Sequence, residues 1–139
     1  MNALIETSVI LDDILDRVPN AKAAREISRL VTDELVIGYL TANCLTDIFY
    51  IVSKSRNETM ARKTIKNLLL SFSVVSVDGQ DCLTAIDLPI SDFEDALVVV
   101  CAEKAALNYI VTNDKDFLSD MYSSVSTISP ANFLLKLQG

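Results

Sequence analysis

Carboxylate side chains follow two short apolar runs of this sequence. Glu6 comes directly after residues 3–5, and Asp114 and Asp116 come just after residues 109–112. Crowding several carboxylates into one place is repulsive unless a cation neutralises them. Oxygen ligands of this kind suit Mg²⁺ or Mn²⁺, which lower the pKa of a bound water and stabilise charge on a phosphoryl oxygen. These residue types therefore favour metal-assisted hydrolysis of a phosphodiester.

Further acids lie on segments that have helical spacing. Asp47 stands beside Ile48 and Phe49 in an otherwise apolar segment, where a carboxylate risks burial without a partner. Asp95 falls in the first turn of a predicted helix, and Asp92 lies three residues earlier on the same face. An acid in a first turn also complements the helix dipole, so a purely structural role stays open for both of these aspartates.

The composition excludes several kinds of catalysis. The chain has 139 residues, no histidine, and a net charge of −7 from 12 Lys+Arg and 19 Asp+Glu. Without histidine there is no Ser-His-Asp or Cys-His catalysis, no histidine general base and no imidazole metal ligand. The acidic balance argues against a protein that binds nucleic acid by bulk charge alone.

Cysteine usage and hydropathy predict where the protein resides. Cys44, Cys82 and Cys101 are widely spaced and odd in number, which is typical of buried thiols in a reducing compartment. No signal peptide opens the sequence, and the apolar stretch 96–102 is far shorter than a membrane span. We therefore expect a soluble, cytoplasmic protein without membrane contact, folded as a single domain over residues 1–139.

Strands and helices alternate along the sequence. Apolar runs predict strands at residues 3–5, 35–39, 74–77, 109–112 and 125–128, and Gly38 is expected to end the second strand. Helical spacing predicts helices at residues 9–15, 20–33, 41–55, 58–71, 80–86, 91–106 and 130–137, and a turn at residues 113–117. This order indicates an α/β domain with a mainly parallel central sheet. In such sheets the carboxyl ends of the strands share one edge, where sites form.

Several helices also carry start signals. Asn20, Asn57 and Ser129 are predicted N-caps, and Pro130 fits the first helical position after Ser129. Residues 91–94 have the Ser-x-x-Glu form of a capping box, so we expect Ser91 to cap the helix that carries Asp95.

Four segments resemble the motifs of PIN domains, in the order that the family has them. Residues 4–12 (LIETSVILD) resemble the opening motif, which usually runs apolar-apolar-Asp-Thr-Asn-Val in the family. Residues 45–50 (LTDIFY) resemble the second motif, residues 92–97 (DFEDAL) the third, and residues 110–117 (IVTNDKDF) the fourth. The last two at this spacing are quite specific, and the resemblance covers essentially the whole chain. It implies a three-layer α/β/α sandwich.

The resemblance also implies an activity. PIN proteins of the VapC-like toxin kind are Mg²⁺- or Mn²⁺-dependent endoribonucleases that leave 5′-phosphate and 3′-hydroxyl ends. They are commonly homodimers, encoded beside a small antitoxin that blocks the site. Carried over by position, the catalytic and metal-binding acids are Glu6, Asp47, Asp95 and Asp114, with Asp116 as an accessory metal ligand. The supporting residues are Thr7, Ser8, Asp92 and Thr112.

Two positions depart from the opening motif. The usual aspartate is Glu6, and the usual asparagine two residues later is Ser8, which lacks the reach of an amide. The additional methylene moves the carboxylate by roughly one C–C bond length, about 1.5 Å. Because Mg²⁺ demands near-ideal octahedral geometry, we expect weaker binding or a preference for the more tolerant Mn²⁺. The expected enzyme is thus a ribonuclease of reduced activity.

Two other functions remain open. A catalytically silent PIN module acting through dimerisation and partner binding would also fit Glu6 and Ser8. A phospho-receiver is disfavoured, because its acid pair should follow the first strand, whereas Asp12 and Asp13 fall inside a predicted helix.

Basic and apolar surface patterns have a functional and a structural interpretation. A basic cluster would form either a positive rim for RNA or an ordinary solvated helix face; it comprises Lys54, Arg56, Arg62, Lys63 and Lys66. The apolar stripes on the helices at 41–55 and 58–71 would be either core or a groove for a dimer or an antitoxin helix.

Overall fold

A five-stranded parallel sheet forms the middle layer of the protein. The computed structural model describes residues 1–119 and 125–139. The strands are β1 (Asn2–Ile5), β2 (Ile37–Thr41), β3 (Ser73–Val75), β4 (Tyr109–Val111) and β5 (Ser126–Ile128). Their order across the sheet is β3-β2-β1-β4-β5, and every neighbouring pair is parallel.

Helices connect the strands and cover both faces of the sheet. Within the described residues they are α1 (Thr7–Ile14), α2 (Ala21–Thr32), α3 (Cys44–Ser55), α4 (Glu58–Ser71), α5 (Gly79–Ile86), α6 (Phe93–Lys104), α7 (Lys115–Ser119) and α8 (Pro130–Gln138). Successive β1 side chains point to opposite faces. Ala3 and Ile5 pack with α1–α4 and α8, whereas Leu4 packs with α6. Helix α5 in turn packs on α6. The expected three-layer α/β/α fold is confirmed.

The order of the strands reverses beside β1. From β1 the chain moves outward through β2 to β3, then returns across the sheet through α5 and α6 to β4 and finally β5. The carboxyl ends of β1 and β4 therefore flank the reversal, which is where a crevice opens in parallel α/β sheets. The two strands are in register at Ile5 and Val111, so the residues that follow them, Glu6 and Thr112, emerge side by side.

Some predicted boundaries shift. Strand β2 lies two residues later than expected, and Gly38 is inside it. A Cβ at Gly38 would come within 2.8 Å of the Phe72 and Val31 side chains, so the glycine lets α2 and the end of α4 approach the sheet closely. Within residues 113–117, predicted as a turn, α7 begins at Lys115.

The predicted caps are only partly correct. Asn57 and Ser129 accept hydrogen bonds from the backbone three residues later, as expected, whereas Asn20 makes no side-chain cap bond. The capping box at Ser91 is wrong, because α6 is capped by Asp92, whose Oδ1 accepts from the Asp95 N–H at 3.0 Å. The Ser-x-x-Glu and Asp-x-x-Asp patterns are offset by one residue, and aspartate is an equally good N-cap.

The predicted burial holds for two of the three cysteines. Cys44 and Cys101 are buried, Cys82 is partly exposed, and all three are free thiols. Within residues 1–119 and 125–139, no helix has the length and apolar character needed to cross a membrane.

Candidate functional site

An acidic cleft of about 480 Å³ opens at the carboxyl ends of the strands, near the reversal of strand order. Five of its lining residues are acids and one is a cation. Among the described residues, those that line it are Glu6, Thr7, Ser8, Leu11, Arg17, Asp47, Tyr50, Ile51, Asp92, Glu94 and Asp95.

Glu6 is fixed in the cleft by two hydroxyl groups. Its Oε1 accepts hydrogen bonds from Thr112 Oγ1 at 2.9 Å and from Ser8 Oγ at 3.1 Å. Its Oε2 is buried and has no hydrogen-bond partner among the described residues. Burial raises the pKa of Glu6 above its usual value; the two hydroxyl bonds oppose this rise, and the charges of Asp114 and Glu94 add to it. The unsatisfied oxygen is thus available to a cation.

The two residues that depart from the opening motif contact each other. Ser8 has a shorter side chain than asparagine, yet its hydroxyl donates a hydrogen bond to the Glu6 carboxylate at 3.1 Å. Ser8, predicted to lack the reach of an amide, therefore does contact Glu6. In the folded protein, Ser8 and Thr112 together orient the Glu6 carboxylate.

Asp95 is a half-buried acid surrounded by other acids. The backbone N–H of Asp95 is bonded to the Asp92 cap, which sets the first turn of α6 against the cleft. Burial, as the largest cause, and the charges of neighbouring acids together raise the pKa of Asp95 to about 7; in decreasing order these acids are Glu6, Asp92, Asp114 and Glu94. Without a cation, the site therefore keeps part of its charge neutralised by protons near neutral pH.

Asp114 lies beside the cleft and closes a turn after β4. Its N–H donates to Thr112 Oγ1 at 3.0 Å, and its Oδ1 accepts from the backbone N–H of Asp116 at 2.9 Å and of Phe117 at 3.3 Å. Asp114 raises the pKa of both Glu6 and Asp95, so its charge acts on the site. Asp116 is exposed and is not a lining residue; its backbone helps to hold Asp114.

Asp47 lines the cleft from helix α3. It lies in the first turn of α3, half-buried, and its charge raises the pKa of Glu94, for which burial is the larger cause. Thr7, at the start of α1, also lines the cleft. The structure thus brings Glu6, Asp47 and Asp95 into one cleft, together with the supporting residues Thr7, Ser8 and Asp92.

Three polar residues that line the cleft were not predicted as site residues from the sequence. Glu94 was considered only as part of a capping box, although it adjoins Asp95 at the start of a helix. Tyr50 lies one helical turn beyond Asp47, and the Lys54 ammonium sits 5.6 Å from the centre of its ring. Arg17 follows α1 and belongs to no periodic pattern. Its position depends on hydrogen bonds to Asp12 and Ser8 that form only in the folded chain.

The donor set fits a hard divalent cation held by few protein ligands. In the described part of the chain, no group of three or more Asp, Glu or Cys side chains is close enough to hold a metal ion. The unpartnered Glu6 Oε2 and the raised pKa of Asp95 nevertheless mark a place that a cation would stabilise. Mg²⁺ and similar ions are often bound through one or two carboxylates, with water and substrate phosphate completing the shell.

Comparison with known proteins gives the family. The sequence model of a family described as "PIN domain" matches residues 2–116. The protein belongs to the PIN-domain family. The match spans all five acids predicted for the ion site, from Glu6 to Asp116.

Solved structures share this PIN fold at low sequence identity. VapBC2 from Rickettsia felis, bound to a DNA fragment from its promoter, has a TM-score of 0.69 at 14% identity, covering 93% of this chain and 98% of that chain. VapC20 from Mycobacterium tuberculosis, a sarcin–ricin loop cleaving toxin, has a TM-score of 0.69 at 15% identity, covering 88% and 98%. PAE2754 from Pyrobaculum aerophilum has a TM-score of 0.66 at 18% identity, covering 99% and 96%.

Proposed function

We propose that this PIN domain is a divalent-ion-dependent endoribonuclease and the toxin of a toxin–antitoxin pair. The observation that carries the proposal is the buried, unpartnered Glu6 Oε2 in the same cleft as Asp95, whose pKa is raised to about 7. Two ionised carboxylates in one cleft repel each other, and a cation bound between them removes that repulsion. The activities of PIN-family proteins, and the description of VapC20 as a sarcin–ricin loop cleaving toxin, support RNA as the substrate.

Each acid has a proposed role. Glu6 and Asp95 would hold a Mg²⁺ or Mn²⁺ ion. Asp47, on α3, and Asp114, in the turn after β4, would add negative charge around it. A bound divalent ion supplies the activated water and the positive charge that phosphodiester hydrolysis requires. Thr112 and Ser8 orient Glu6, and the Asp92 cap orients the first turn of α6. Asp116 acts through its backbone contact to Asp114 rather than as a ligand.

RNA cleavage with a matched pair of variants tests this proposal. Purified protein is incubated with structured RNA and Mn²⁺, in parallel with Asp95→Asn and with Asp87→Asn. Asp87 is an exposed aspartate at the end of α5, outside the cleft. We expect cleavage by the wild type and by Asp87→Asn, and at least a hundredfold loss in Asp95→Asn, typical of removing a group that acts in the transition state. Cleavage that survives Asp95→Asn would come from a contaminant and would refute the mechanism.

A silent PIN module is the second candidate. It is favoured by the lack of a ready-made three-ligand ion site among the described residues and by glutamate in place of aspartate at position 6. Isothermal titration with Mn²⁺ separates the two candidates. Binding that is lost in Glu6→Gln supports the enzyme, and no heat at millimolar Mn²⁺ supports the silent module.

Partners are proposed from the same family relationship. Several solved structures that share this fold are toxin–antitoxin complexes, including one from Klebsiella pneumoniae with a TM-score of 0.67 at 14% identity. We expect a small antitoxin encoded beside this gene, and a homodimer of the protein in solution. Light scattering after size exclusion measures the oligomer. Co-purification of the neighbouring gene product, with loss of RNA cleavage in the complex, tests the antitoxin.

A further inference from the structure

Arg17 is the one cation among the described residues that line the cleft, where it faces five acids. Its side chain is 44% exposed. A polyanion such as RNA is repelled by the acidic walls, so a fixed positive group at the cleft has a strong influence on how a phosphate can enter.

A helix-ending turn sets the position of Arg17. Asp16 takes a left-handed conformation with φ 53°, and its N–H donates to the Asp13 carbonyl at 3.2 Å. The Arg17 N–H donates to the Asp12 carbonyl at 3.0 Å. This pair of bonds is a Schellman motif, which normally has glycine at the left-handed position. The turn folds the chain back so that Arg17 lies over Asp12.

The Arg17 side chain is held by two hydrogen bonds to residues of α1. Its Nε donates to Asp12 Oδ1 at 2.8 Å, and its Nη2 donates to the Ser8 carbonyl at 3.2 Å. The Asp12 side chain is only 8% exposed, and its other oxygen accepts from Asn113 Nδ2 at 2.5 Å. Contacts with described residues use two of the five N–H donors of the guanidinium, which leaves donors for a ligand.

We propose that Arg17 binds a phosphate of the RNA backbone adjacent to the one that is cleaved. The inference rests on the proposed function and adds a phosphate subsite to it. A guanidinium held by a buried carboxylate is oriented before the ligand arrives, so little side-chain entropy is lost on binding. Because Asn113 holds the same carboxylate and precedes Asp114, the subsite is tied to the turn that carries an acid of the ion site.

RNA binding in the absence of any divalent ion tests the subsite independently of catalysis. Fluorescence anisotropy with a labelled single-stranded RNA oligonucleotide in EDTA is measured from about 50 to about 200 mM salt. We expect Arg17→Gln to bind roughly tenfold more weakly, as for loss of a charge-assisted hydrogen bond. Its slope of log affinity against log salt should fall by about 0.7, the value for one phosphate contact on a single strand.

Two further variants make the result specific. Arg29→Gln removes an exposed arginine that is paired with Glu26 and Asp33, outside the turn at Asp16, and does not line the cleft; it should bind RNA within about twofold of wild type. Arg17→Lys keeps the charge but not the planar fork, so its affinity should be intermediate and its salt slope unchanged. Urea unfolding of each variant verifies that it is folded. Equal affinity and slope for Arg17→Gln and wild type, or no RNA binding by the wild type, would overturn the inference.

Cleavage assays with Mn²⁺ separate this inference from the proposed function. If both hold, Arg17→Gln raises KM about tenfold with a smaller effect on kcat, because the contact is made in the ground state as well. A wild type that binds RNA through Arg17 and cleaves nothing refutes the nuclease and keeps the subsite. A wild type that cleaves RNA and an Arg17→Gln with unchanged KM refute the subsite and keep the nuclease.

Discussion

The raised pKa of Asp95 makes a prediction about stability that needs no substrate. Its pKa is raised from 3.8 to about 7 by burial and by neighbouring acids. The folded state therefore holds the Asp95 proton more tightly than the unfolded chain does. This tighter proton binding contributes to the free energy of unfolding. The contribution is fully present below the pKa of the unfolded state and is lost as pH rises through the pKa of the folded state, between about pH 4 and pH 7. Asp95→Asn cannot ionise, so the variant escapes this loss.

The size of the effect follows from the shift and from the exposure of the side chain. Between pH 5 and pH 7 a fully sheltered group would lose roughly 3 kcal/mol, at about 1.4 kcal/mol for each pH unit. Asp95 is only half-buried, so solvent screening reduces this to about 1 kcal/mol. We expect Asp95→Asn to be about 1 kcal/mol more stable than wild type near pH 8, with a smaller gain near pH 5.

Urea unfolding in EDTA measures both proteins at the two pH values. Asp87→Asn is the matched control, since Asp87 is exposed and outside the cleft; its free energy of unfolding should stay within about 0.5 kcal/mol of wild type at each pH. Added Mn²⁺ should stabilise the wild type near pH 8 and reverse the advantage of Asp95→Asn. Parallel stability curves for wild type and Asp95→Asn from pH 5 to pH 8 would refute the account of a desolvated, repelled carboxyl group.

Three other substitutions test the contacts around the site and under the sheet. Thr112→Val removes a hydrogen bond to Glu6 and should weaken Mn²⁺ binding about tenfold in isothermal titration, as loss of a ligand-orienting partner does. Gly38→Ala places a methyl group 2.8 Å from two side chains and should lower the free energy of unfolding by about 1–3 kcal/mol. Asp12→Ala leaves two donors without their buried acceptor and should cost about 2–4 kcal/mol, measured by urea unfolding.

Each of these has a conservative control. Thr112→Ser keeps the hydroxyl and should retain Mn²⁺ affinity; equal weakening by serine and valine would mean that the hydrogen bond is not the cause. Gly79→Ala meets nothing within 4 Å at the start of α5 and should be neutral or stabilising. Asp33→Ala breaks only an exposed pair with Arg29 and should cost less than about 1 kcal/mol. A cost for Asp12→Ala no larger than that of Asp33→Ala would contradict the anchoring role of Asp12.

The main features of the site were predictable because they depend on topology. Apolar runs located β1 and β4, and the shared edge of parallel strands placed Glu6 and Asp114 near each other before any side chain was seen. Helical spacing placed Asp47 and Asp95 on segments that reach the same edge. These inferences need only the alternation of strands and helices and the polar residues directly after the strands.

The residues that were missed depend on long-range contacts. Asp12 and Asn113 are 101 residues apart in the chain, and no local pattern pairs them. The position of Arg17 depends on the left-handed conformation of Asp16. The sequence does not predict that conformation, because glycine usually occupies such positions. The hydrogen bond between Ser8 and Glu6 was likewise not predictable, because side-chain reach depends on the backbone geometry where α1 follows β1.

The pairing of β1 with β4 also determines when a newly made chain can act. Glu6 and its partner Thr112 are 106 residues apart, so at about 5–20 residues per second the ribosome needs roughly 5 to 20 s to progress from one to the other. During that interval β1 has no neighbour on its β4 side, and Leu4 lacks the cover of α6 until that helix is made. A nascent chain therefore holds Glu6 long before it can complete the proposed ion site, and translation itself delays the proposed activity until residue 114 has left the exit tunnel.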